Sequence, residues 1–153
     1  MEAQSISWLG AGVDVATLAI ASIVAIVSTK QVYTDRLRLR KELFIERFAV
    51  YKTAQRFLSY IQAHAKTPED QIPELFNAYQ RSRFLFGPDI AALFDEFIKD
   101  SGDLNVLRAE RSELQPGEEL AATVRKERLF LEKFASQLTV LHEPFQRYMH
   151  FKV

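Results

Sequence analysis

Trp8–Ser28 reads WLGAGVDVATLAIASIVAIVS, and the reading of this stretch decides that of the whole chain. From Leu9 to Val27 it holds nine Leu, Ile or Val residues and one charge, Asp14. On an insertion scale the nine contribute roughly −4 kcal/mol, and an Asp at the centre of a span costs about 3 kcal/mol. Asp14 stands nearer the N-terminal edge, where its cost is lower, so insertion wins. About 20 residues of helix rise roughly 30 Å, the thickness of a bilayer core. Trp8 suits the headgroup boundary. The stretch therefore predicts one transmembrane helix over residues 8–28. A cleaved signal peptide would want a basic start, and MEAQSIS has no Lys or Arg. A buried core helix of a soluble protein is the other alternative.

The flanks predict the orientation. Lys30, Arg36, Arg38, Arg40 and Lys41 follow the apolar run, and Glu2 is the one charged side chain before it. Basic flanks stay inside, so the N-terminus is expected outside and the C-terminus in the cytoplasm, across a cell inner membrane. Cys is absent, which fits a cytoplasmic domain without a disulfide framework. Lys30, Arg36 and Arg38 are the candidates for lipid headgroup contact, each worth about 1 kcal/mol close to an anionic surface.

At 100° per residue, Gly10, Asp14, Thr17, Ala21, Ala25 and Ser28 fall on one side of the predicted span. Leu9, Ile20, Ile23, Ile26 and Val27 fall on the other. Small and polar residues on one face permit close approach of helices in lipid, and an intramembrane Asp prefers protein or water to lipid. These six residues are the candidate helix-association face, which also admits a polar path. Alternatively, Asp14 reaches the headgroups and the small face reflects Ala-rich composition.

Beyond the anchor lie about 120 residues, enough for one domain with its own core. Twenty basic and twenty acidic residues balance, so net charge gives no argument for nucleic acid, and none is expected as a partner. No Gly or Pro occurs between Val13 and Lys66, so the first helix can run from the membrane into the cytoplasm as one rod of up to about 80 Å. Steps of three and four then mark an apolar stripe over Leu43, Phe44, Phe48, Val50, Tyr51, Ala54, Phe57, Leu58 and Ile61. Arg47 and Tyr51, four apart, are spaced for a cation–π contact, but such a pair is more often simply two neighbours at the edge of the core.

Thr67-Pro68-Glu69-Asp70 reads as a helix start with Thr67 as N-cap, and Pro73 is an alternative start. That helix runs to about Phe86. Gly87-Pro88 ends it, with Gly87 expected in the left-handed conformation, and opens a third helix reaching about Leu114. Its apolar set is Ile90, Leu93, Phe94, Phe97, Ile98, Leu104 and Leu107, with Gly102 a possible kink. Gln115-Pro116-Gly117 is the next break. The fourth helix spans about Glu118 to Leu141 with Leu120, Val124, Leu129, Leu131, Phe134, Leu138 and Leu141 apolar. Phe145, Tyr148 and Phe151 make the closing tail too apolar for a free end. Phe48, Phe57, Phe94 and Phe134 are the expected buried rings.

Three patches belong together: Glu42 to Tyr51 (ELFIERFAVY), Arg83 to Ile90 (RFLFGPDI), and Phe134 with Glu143-Pro144-Phe145. In these the chain resembles a loose group of small bacterial single-pass membrane proteins with an LF-x-x-R-x-x-V-Y entry helix and an FLFG helix end. The resemblance implies the anchor-plus-helices architecture and brings no assigned activity.

Little in the sequence points to chemistry. His64, His142 and His150 form no H-E-x-x-H or E-x-x-H pair on a core face, so no metal site is expected. Glu96, Asp100 and Asp103 share one helix side, beside Lys99; such a run serves acid–base work, a divalent ion or a basic partner, and more often a solvated face. No phosphate loop, nucleophile elbow or Ser–His–Asp order is present. The expectation is an all-α chain without catalytic residues or cofactor: a membrane anchor over 1–29, a charged juxtamembrane helix over 30–42, and a cytoplasmic bundle of about four helices over 43–153. Its expected role is a membrane-tethered adaptor that binds a protein partner, or alternatively an oligomeric membrane effector. The expected partners are the lipid bilayer and either a protein or a second copy.

Overall fold

Long runs without Gly or Pro become long helices. In the computed structural model, which describes the backbone of residues 5–149 and the side chains of residues 35–149, α1 spans Ser5–His64. It is followed by a single 3-10 turn at Glu69–Gln71, then α2 (Ile72–Leu85), α3 (Pro88–Glu113), α4 (Glu118–Val140) and α5 (His142–Met149). Among the described residues there is no strand. The chain divides into two compact units, Met1–Glu42 and Leu43–Val153.

In the first unit, the side chains of the apolar run 8–28 lie outside the described residues. So do those of the association face (Gly10, Asp14, Thr17, Ala21, Ala25, Ser28) and of Lys30. Among residues 35–149, whose side chains are described, no helix is long and apolar enough to cross a membrane. Arg36 and Arg38 are exposed.

In the second unit, α3 is central and packs against α2, α4 and α5. The core joins Val50, Ala54, Phe57, Leu58 and Ile61 of α1 to Leu75 and Ala78 of α2, and to Ile90, Phe94, Phe97 and Leu104 of α3. Phe134 and Leu141 close it from the α4 side, and Phe145 from α5. Three of the four expected rings are buried to 1% exposure or less, whereas Phe48 is 40% exposed. Phe48 lies toward the N-terminal edge of the unit, stacked between Phe44 and Tyr51. The α4 stripe is also narrower than expected, because Val124 and Leu129 are 40% and 64% exposed.

Three local expectations give way to tertiary packing. Thr67 caps no helix; it is buried, and its hydroxyl donates to the Ser101 carbonyl of α3 at 3.4 Å. α1 instead ends on Ala65, whose φ of 51° is left-handed and whose N–H donates to Ile61 O at 2.8 Å. Gly87 has φ −77° and ψ 174°, ordinary extended backbone, so it is not a left-handed cap. Its requirement is space: a Cβ there would collide with the Tyr148 hydroxyl and stand 2.7 Å from Asp89 Oδ1. Gly102 faces open space inside an unbroken α3.

Candidate functional site

Members of the three patches, Arg47 and Tyr51, Leu85 to Asp89, and Phe145, meet at one junction. Arg47 of α1 donates through Nε to the Leu85 carbonyl at 2.9 Å and through Nη1 to the Tyr148 carbonyl at 2.7 Å. One guanidinium thus satisfies carbonyls at the C-terminal ends of both α2 and α5, where helices leave acceptors unpaired. Its cation–π partners are Phe86 and Tyr148, at 5.7 and 5.8 Å, and not Tyr51. Tyr51 meets Phe145 edge-on instead, as Phe86 does. The Tyr148 hydroxyl donates to Asp89 Oδ1 at 2.7 Å and accepts from the Gly87 N–H at 3.1 Å, and Arg147 pairs with Asp89. Burial pushes the Asp89 carboxyl up, but hydrogen bonds from Tyr148, its own backbone N–H and Arg147 outweigh it and hold the group below its ordinary value. Every polar group of this junction is spent on another, so it is a clasp between helix ends.

The acidic run on α3 is neutralised in the same way. Lys133 of α4 places its ammonium 2.7 Å from Glu96 Oε1 and 2.6 Å from Asp100 Oδ2. Hydrogen bonds to Asp100 and then Glu96 raise its pKa against the opposing effect of burial. Asp103 stands apart. Further along, buried Glu127 of α4 accepts from Arg108 Nε and Arg111 Nη1, both at 2.9 Å. The late residues of α4 therefore meet the early residues of α3, and the two helices run antiparallel.

Among the described residues histidine builds no centre. His64 stacks on Tyr60 with ring centroids 4.1 Å apart, His142 is exposed, and His150 lies outside the described residues. Among the described residues no group of three or more His, Asp or Glu side chains could hold a metal ion.

What remains open is surface. A polar groove of about 390 Å³ lies between α1 and α2, floored by Ala49, Val50 and Ala78. Lys52, Arg56, Glu74 and Arg81 line it. Arg56 pairs with Glu74, and Arg81 with Glu46. A second groove of about 340 Å³, between α3 and α4, is mainly apolar, lined by Val106, Leu107, Leu129 and Phe130 with Asp103 and Lys126 at its rim. Sequence reading assigned Leu107 and Leu129 to the core and so missed this groove; the signal was an apolar stripe on α4 too wide for one neighbour. No family model, curated protein or solved structure matches the chain.

Proposed function

We propose that the chain is a membrane-tethered helical adaptor that holds a protein partner at the inner face of the membrane. The apolar run 8–28 with its basic flank supports the tether. The observation that carries the binding role is how the second unit uses its polar groups. Its junction and its α3–α4 clamps are closed on themselves, while the α1–α2 groove offers cations and carboxylates at the surface, held in exposed pairs. Exposed pairs contribute little to stability, about 0–1 kcal/mol each, so exchanging partners across them is cheap. A partner segment of mixed charge suits that groove.

The test fuses a reporter after Val153 and fractionates the cells, then compares detergent pull-downs of the parent with Arg56→Glu/Arg81→Glu. A membrane-bound chain with a cytoplasmic reporter, and a protein recovered by the parent and lost from the variant, are expected. Reporter activity on the periplasmic side, or identical pull-downs, would refute the reading.

The small and polar face of residues 10–28 favours a second reading, an oligomeric effector whose path Asp14, Thr17 and Ser28 line. Asp14→Leu and Ala21→Ile should then weaken helix association in a membrane assay, and Ile23→Ala should not.

A further inference from the structure

We propose that the apolar groove between α3 and α4 seats the same groove of a second copy of this chain. The groove has a repeated plan. On α3 an acid, Asp103, is followed at the third and fourth positions by Val106 and Leu107; on α4 a base, Lys126, is followed at the same spacing by Leu129 and Phe130. Val106 and Leu129 are 58% and 64% exposed, so each wall carries an apolar knob beside the hollow. An isolated exposed Leu needs no explanation, but four contiguous apolar side chains around a hollow do.

The rim charges select the occupant. Asp103 and Lys126 are exposed and have no ion pair or hydrogen bond among the described residues. Of the charges that join α3 to α4, Glu96, Asp100 and Lys133 form one cluster and Arg108, Arg111 and Glu127 another. A two-fold interface is self-complementary, so whatever one wall presents is met by the other wall of the partner copy. An axis lying in the interface, square to the line from Asp103 to Lys126, brings Asp103 of each copy against Lys126 of the other. Opposite charges on the two walls therefore give two ion pairs at once, around a centre where the knobs enter the hollows. The pairing uses only side chains of α3 and α4 and does not depend on the membrane reading.

The experiment uses the full chain in detergent, carrying two different affinity tags. Asp103→Lys puts Lys against Lys at both contacts of the pair, and Lys126→Asp puts Asp against Asp. Each variant should retain at least fivefold less of its own differently tagged copy than the parent does. Mixed with each other, the two variants restore opposite charges at both contacts, and retention should return to the parent level. Because both side chains are exposed and unpaired within the chain, the fold does not depend on them, and recovery in the mixture shows that both variants are folded. Association through the first helix would be equal in every sample. Retention unchanged by the single reversals, or a mixture as poor as the single variants, overturns the proposal.

Discussion

Arg47 is the most economical place to test how the helical unit is closed. Arg47→Met keeps much of the side chain's length and removes both bonds, to the Leu85 and Tyr148 carbonyls. Hydrogen bonds from a charged donor are worth about 1.5–3 kcal/mol each, and a carbonyl left half-buried without a partner adds to the loss. Cation–π contact with Phe86 and Tyr148 contributes about 0.5–1 kcal/mol more at a partly exposed site. Water reaches part of the junction and replaces some of this, so the expected loss for Arg47→Met is about 3 kcal/mol. Arg47→Lys retains the charge but has no planar fork to reach two carbonyls, and should lose about half as much. The assay is urea unfolding of the full chain followed by circular dichroism. With a slope of about 2 kcal/mol per M, the Met variant should move the midpoint down by about 1.5 M and the Lys variant by about 0.7 M. A Lys variant as stable as the parent, within about 0.5 kcal/mol, would show that the fork geometry contributes nothing and that Arg47 acts only as a charge.

Further outcomes follow from other positions. Phe94→Ala, at a ring with no exposed surface, should cost about 3–5 kcal/mol, whereas Phe48→Ala, at 40% exposure, should cost under about 1.5 kcal/mol in the same titration. Asp89 has a depressed folded-state pKa, so its contribution is complete above the unfolded value of about 3.9 and is lost as pH falls through the lower folded value. Asp89→Asn should therefore flatten the acid limb of a stability-versus-pH curve below about pH 4, and an acid limb as steep as the parent's would place the titration elsewhere. Ala65→Gly should raise stability by about 1 kcal/mol, because Ala65 holds a φ of 51° at the end of α1; a destabilised variant would mean that the methyl packs usefully.

The helices themselves were readable because their signals are local. Gly87-Pro88 and Gln115-Pro116-Gly117 break the chain where the structure breaks it, and the steps of three and four pick out Phe57, Phe94 and Phe134 correctly. Features that depend on distant partners were not readable. Arg47 looked like a partner for Tyr51, four residues away, because nothing local announces Tyr148, which lies 101 positions along the chain. Thr67 carries a sound capping signal, yet a buried carbonyl on α3 outcompetes the cap for its hydroxyl. Leu129 and Val124 were counted as core because periodicity reports that a face is apolar without reporting whether a neighbour covers it. Glu96 and Asp100 of α3 read as part of a solvated run because nothing local announces Lys133, on another helix, which pairs with both.

The clasp at Arg47 also sets the order in which the domain is completed. Its members come from positions 47, 85–89 and 147–148, nearly the full span of the second unit. During synthesis α1 through α4 emerge before α5 exists, and until then Arg47 holds only Leu85 and Phe86, and Asp89 lacks both Arg147 and Tyr148. Closure across so long a loop costs entropy before any contact repays it, so this step waits until α5 has been made. A chain that stops short of α5 would leave the aromatic faces of Tyr51 and Phe86 open, a state prone to association with other chains. The final turn of α5 thus acts as a gate on folding: the junction closes only once Tyr148 is in place.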